Sequence, residues 1–369
     1  MDTVTQMLLG ATVAQAGFRR RLGRRALAVG AGIALIPDLD VAAGWIGGPF
    51  ANWVHHRGLT HSILFGPFAG LLLGWLVWRW QRRRHGPDSP SGDGEARRAW
   101  IWLAILALMT HPVIDVFTSY GTQWLYPLTN TRFAINAMPI IDPIYSLILL
   151  SAVVAGVALR RRAALAQDIA GAALILVSAY TLGGWAINDR VEAIARAQVG
   201  GTAPATAAQV TAAQVTAEVT AYPTLFQPLL RRVVAETPDA VLVGFHSVLS
   251  DGKIHWERFE RGRSPAIEAV AATPEAEVFR WFSMDSLIWR EQPLESGRTL
   301  VQALDHRYGM PGVSSLGFWG IRAVVDPAGR LVGPVESFQT PRDASQAAWQ
   351  DLWVRIVGTG PADRTVSAD

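Results

Sequence analysis

Cysteine is absent from the 369 residues, which rules out a disulfide framework and any thiolate metal site. Charge is scarce. Asp, Glu, Lys and Arg make up 17% of the chain, against 50% hydrophobic residues and fifteen tryptophans, a balance that points to a membrane protein. The net charge is only +3, and its arginines sit in blocks between apolar segments, so no nucleic-acid surface is expected. The opening segment, residues 1–18, lacks the basic start of a signal peptide, because Asp2 comes first and the arginines follow the apolar part. After about residue 190 no apolar run is long enough to cross a bilayer.

What is present begins with segment 54–62, which holds His55, His56 and His61, three of the eight histidines, directly before a long apolar run. Imidazoles at the mouth of a membrane segment either rest at the headgroup level or bind something, and metal is the first candidate. Upstream, a helix over 26–36 stops at Pro37, and the apolar stretch 41–50 extends it past the break. Asp38 and Asp40 lie at that break. Unpaired at membrane depth, each carboxylate costs about 2.5–3.5 kcal/mol. One alone reads as a helix cap, but two call for a partner.

Further spans are expected at 63–80, around 100–109 running into His111 and Asp115, at 144–159 and at about 169–187. Residues 85–95 and 117–140 read as loops. On a helix, His111 and Asp115 share one face by their i, i+4 spacing, although Pro112 bends that turn. The arginine blocks at 19–25, 79–84 and 160–162 each follow an apolar segment, so alternating crossings place all three on one side, the cytoplasmic one. Asp38, Asp40, His56, His61, His111, Asp115 and Asp142 then fall together on the other face.

Met1-Asp2, Thr5-Gln6 and Gly10, then Pro37-Asp38-Leu39-Asp40, His56-Arg57-Gly58, Thr60-His61-Ser62, His111-Pro112 with Asp115, and Asp142-Pro143 resemble the YdjM-like family of membrane-bound metal-dependent hydrolases. The resemblance covers roughly the first 190 residues. It implies a metal site and hydrolytic activity. Many members carry a histidine where this chain has Gln6, which bears on whether the N-terminal segment supplies a ligand.

Seven such side chains exceed what one tetrahedral zinc takes from a protein, so either several ions bind or some residues orient the ligands. His56, His61, His111, Asp115 and Asp40 are the expected metal ligands. Asp38 and Asp142 are the expected catalytic carboxylates. Arg57 either holds a substrate phosphate or carboxylate or anchors at the interface. Nitrogen and carboxylate donors suit zinc best, and manganese or iron also fit.

The fold class expected is an α-helical polytopic membrane domain over residues 1–190, a linker or helix over 191–221, and a small soluble α+β domain over 222–369. That domain would carry hairpins at 240–249 with 253–261 and at 318–325 with 330–338, and helices at 276–291 and 344–357. His246, His255 and His306 there read as structural. The functional expectation is a metal-dependent hydrolase in the inner (plasma) membrane, with its site and C-terminal domain extracytoplasmic, acting on a phosphoester or lipid headgroup. The competing reading is a non-catalytic metal or ion transporter or scaffold.

Overall fold

The computed structural model describes residues 1–86, 92–201, 217–310, 316–340 and 345–358. It divides into two compact units, Met1–Gly183 and Gly184–Asp369. Residues 87–91 of the loop expected at 85–95 and the Ala/Thr-rich stretch 202–216 lie outside the described residues.

The first unit is helical. Its elements are α1 (Thr3–Gly17), α2 (Arg19–Leu22), α3 (Arg25–Ala34), a 3-10 turn at Pro37–Val41, α4 (Ala42–His55), a second 3-10 turn at Leu59–His61, α5 (Phe65–His85), α6 (Gly94–Val116) and α7 (Pro143–Ala158), followed by α8 (Ala163–Gly201), which runs on into the second unit. Side-chain caps define several starts: Asp2, Asp93 and Asp142 accept from the N–H groups of Thr5, Ala96 and Tyr145. Among the described residues, three segments are long and apolar enough to cross a membrane: Arg25–His55, Gly94–Val116 and Ala163–Val199. The span expected at 63–80 forms α5 but is not among them, because Arg79, Arg82, Arg83 and Arg84 occupy its last two turns.

The unit is apolar outside as well as inside. Ile46 is 90% exposed and Phe68 76%, which suits lipid rather than water as the surrounding medium. Its polar side chains turn inward instead: Thr5, Gln6, Thr12 and Gln15 of α1 are all buried, so this helix is a central element and not an amphipathic anchor. Glycines set the helix spacing. Gly66, Gly70 and Gly74 line one face of α5, and a Cβ on Gly70 would lie 2.7 Å from the Ile105 Cα of α6. At the α1–α3 contact, a Cβ on Gly10 would lie 2.5 Å from the Gly30 carbonyl oxygen. Such close backbone approach is what small residues permit in membrane bundles. It fixes α3 and α6, which carry the site described below.

The second unit contains two antiparallel four-stranded meanders. The first joins β1 (Glu218–Pro223), β2 (Leu230–Glu236), β3 (Ala240–Ser247) and β4 (Glu257–Glu260); the second joins β5 (Leu287–Pro293), β6 (Thr299–Asp305), β7 (Trp319–Val325) and β8 (Glu336–Gln339). Tyr222, Val234 and Val243 of the first sheet share a core with Ile288 and Leu304 of the second. Both expected hairpins are present as the pairs β3–β4 and β7–β8. One expectation needs correction. The helix expected over 276–291 ends at Phe282, because Met284 and Asp285 turn into the left-handed region (φ +53° and +61°) and Leu287–Pro293 becomes a strand. Within the stretch expected as a linker or helix over 191–221, residues up to Gly201 belong to α8 and those from Glu218 to β1. Helices α9 (Pro265–Ala271), α10 (Pro274–Phe282) and α11 (Gln346–Val357) complete the unit.

Candidate metal centre

The centre forms where two 3-10 turns meet the end of α6. Pro37 stops α3 and opens the 3-10 turn that presents Asp38 and Asp40. Leu59–His61 forms the second 3-10 turn and presents His61. Pro112 lies inside the last part of α6, where His111 and Asp115 sit one turn apart. Asp38 is partly exposed, while His61, His111 and Asp115 are fully buried.

Both imidazoles are oriented from behind. His111 Nδ1 lies 2.6 Å from the carbonyl oxygen of Ala34; a carbonyl only accepts, so Nδ1 carries the proton and Nε2 presents its lone pair. His61 Nδ1 lies 3.1 Å from Asp40 Oδ2, and Asp40 is itself held by the Thr60 hydroxyl at 2.8 Å and the Arg57 N–H at 3.0 Å. A carboxylate or carbonyl behind an imidazole is how proteins fix metal-ligating histidines.

The two Nε2 atoms face carboxylate oxygens without hydrogen-bonding to them. His111 Nε2 is 3.2 Å from Asp38 Oδ1 and 3.7 Å from Asp115 Oδ2; His61 Nε2 is 3.6 Å and 3.4 Å from the same atoms. Asp115 Oδ2 likewise has no hydrogen bond. Imidazole lone pairs facing carboxylates repel unless a proton or a metal cation lies between them. A tetrahedral ion with ligand bonds of about 2.0–2.1 Å separates its ligands by about 3.4 Å, and these four separations bracket that value. Asp38, His61 and His111 each offer a ligand atom within 4.8 Å of one another and could hold a metal ion. The donor set fits a divalent cation.

The other expected site residues take supporting positions. His56 directs Nδ1 at Asp40 Oδ1, 2.7 Å away, with its ring 5.7 Å from that of His61. Arg57 is turned inward. Its Nε is 3.2 Å from Asp115 Oδ2, its Nη1 donates to Thr118 Oγ1 at 2.8 Å, and its guanidinium lies over Tyr120. Its backbone sits in the left-handed region (φ +62°), a strain typical of functional turns, and Gln123 holds that turn by donating its N–H to the Arg57 carbonyl at 2.9 Å. Asp142 stands apart from this group. It caps α7 and accepts from the Tyr180 hydroxyl at 2.9 Å.

Gln6 reaches in from α1 and donates to Asp115 Oδ1 at 3.1 Å, an oxygen that the Met1 amine also contacts. Sequence reasoning missed Ala34, Thr118 and Gln123. A backbone carbonyl has no sequence signature, and Gln123 lies in a loop without periodicity. The arginines gather at the far end of α1. Arg19 donates to the carbonyls of Gly156 and Leu159, and Arg25 meets Gln81 and His85.

Apolar helices around buried, oriented histidines and aspartates define a helical membrane protein with a metal-capable centre. The family described as YdjM inner membrane protein matches residues 1–190, and the chain belongs to it. Among its relatives is the inner membrane protein YbcI of Escherichia coli (strain K12), 32% identical over 30% of this chain and 57% of YbcI. Another is the uncharacterized protein YfhP of Bacillus subtilis (strain 168), 28% identical over 24% of each chain. The alignments thus span only part of either relative. No solved structure matches the chain.

Proposed function

We propose that the protein is a membrane-embedded metal-dependent hydrolase whose centre is held by His61, His111 and Asp38, with the fourth position left for water. The observation that carries this reading is the convergence of two oriented, unpartnered imidazole nitrogens with two carboxylate oxygens. A divalent ion held there, zinc by preference, supplies Lewis acidity and lowers the pKa of a coordinated water toward about 7.

The chain's own residues do the rest. Asp40 and the Ala34 carbonyl keep Nε2 of each histidine aimed inward. Arg57 and Gln6 hold Asp115 in place. Asp38 is the ligand of the group with access to solvent, and Asp115, whose Oδ2 has no hydrogen bond, is the carboxylate left to take a proton from water. A phosphoester, in a lipid headgroup or in solution, is the substrate class that suits such a centre. The buried histidines and aspartates cluster at one end of the bundle instead of lining several spans, which favours hydrolysis over transport. Purified protein is expected to hydrolyse a generic phosphoester, to lose that activity on chelation and to regain it with zinc or manganese. Activity that persists in chelator with the protein metal-free would overturn the reading.

The centre and the second unit lie, on this reading, on the extracytoplasmic side, because the arginine blocks mark the cytoplasmic one. Reporter fusions at Gly94 are expected to read cytoplasmic and fusions at Asn130 extracytoplasmic. The reverse pattern would place the centre inside the cell.

A further inference from the structure

The arginine end of the first unit contains a second concave site, built independently of the histidines. α2 ends at Gly23, whose φ of +74° turns the chain into α3. Arg21, Arg24 and Arg25 are thereby set against Gln81 and His85 of α5 and Trp100 of α6, around a cavity of about 420 Å³. That volume falls within the range of about 300–1,000 Å³ of small-ligand sites.

The charge around this cavity is unbalanced. Arg21 is paired with Asp93 and lies 3.6 Å from Glu95. Among the described residues, Arg24 and Arg25 form no ion pair. Arg25 Nη1 lies 2.7 Å from His85 Nε2 and 3.4 Å from Gln81 Oε1. A guanidinium only donates, so His85 accepts from it, and neither neighbour contributes negative charge. Two arginines facing a cavity without an anion are a ready site for phosphate oxygens, which guanidinium groups grip in pairs.

The surroundings indicate where that phosphate comes from. The cavity adjoins the ends of apolar helices, and on α5 the half-exposed Trp80 packs under Arg84 at 4.3 Å. Tryptophan beside arginine at a helix end marks the headgroup level, and basic pockets between helices at that level bind lipid phosphates. We propose that this cavity binds the phosphate of an anionic membrane lipid, wedged between α2–α3 and the ends of α5 and α6.

The test uses the full-length protein in nanodiscs, with phosphatidylglycerol and phosphatidylcholine as probes and bound lipid counted by native mass spectrometry. Wild-type protein should retain phosphatidylglycerol in preference to phosphatidylcholine. Replacing both Arg24→Gln and Arg25→Gln should weaken phosphatidylglycerol retention about 30-fold, at roughly a factor of five per basic residue. Arg25→Lys should keep most of it, which shows that the fold survives substitution there. Arg161→Gln with Arg162→Gln, in a basic block outside the cavity, should change retention less than about twofold. Equal retention of both lipids, or the same loss in the distant double variant, would overturn the site. Displacement of lipid by inorganic phosphate, but not by chloride of equal ionic strength, would assign the ligand to soluble phosphate and overturn its lipid source.

Discussion

Replacing His61 with alanine is expected to empty the metal centre. Its Nε2 is one of two imidazole donors in the group, and its loss leaves at most one nitrogen beside the carboxylates. Metal measured on the purified full-length protein should fall from about one ion per chain to background. Asp40→Asn should act differently, because Asp40 orients His61 from behind; affinity should drop by roughly 10–100-fold, with the site still filling at high metal. His246→Ala is the control, since His246 lies in the second unit, and metal content should not change. If His61→Ala retained full metal, the ion would be held elsewhere.

The second large effect is expected in the other unit, where Asp305→Ala should sharply destabilise the β5–β8 sheet. Arg307 is buried, with Nε 2.9 Å from Asp305 Oδ1 and Nη2 2.5 Å from Oδ2. Burial alone would push the guanidinium pKa down, yet Asp305 holds it above the usual arginine range. Removing the carboxylate strands a buried positive charge, which costs about 3–5 kcal/mol. Hydrogen exchange across Leu287–Pro293 and Thr299–Asp305 in the full-length protein should show the loss. Arg322→Ala, which breaks the exposed pair with Glu336, should change the same exchange by about 0–1 kcal/mol. Comparable effects from the two variants would mean that the Asp305–Arg307 pair contributes no more than a surface one.

Much of the helical unit was legible because it follows simple rules. Pro37 breaks the helix where the sequence places a break, and the i, i+4 spacing of His111 and Asp115 survives Pro112. The common end of the histidines and aspartates followed from counting arginine blocks, and the contacts of Arg19 and Arg25 gather those blocks at the other end. Less legible was the division of labour within the cluster. Whether a carboxylate faces the Nδ1 or the Nε2 side of a histidine depends on the three-dimensional path of two 3-10 turns, and in sequence Asp40 reads as a metal ligand and Asp38 as a catalytic carboxylate. In the structure Asp38 faces Nε2 of both histidines, and Asp40 stands behind His61. Asp142 looked like a member through the Asp-Pro pattern, and that same pattern makes a helix cap.

In the second unit, β3 and β7 announced themselves as apolar runs beside turn residues. β2 did not, because it carries Arg231 and Arg232, two arginines buried in the fold. Buried charge breaks the alternation on which strand recognition depends. The misjudged helix at 276–291 has a similar cause: its apolar spacing continues past Phe282, while the backbone reversal at Met284 and Asp285 carries no glycine or proline signal.

X-ray absorption at the zinc edge, on full-length protein loaded with zinc and dialysed, reads the ligands of the centre itself. Four nitrogen and oxygen neighbours at about 2.0–2.1 Å, with the outer-shell signature of two imidazoles, is the expected result. A dialysed protein that keeps no zinc, or a spectrum without imidazole scattering, would contradict it.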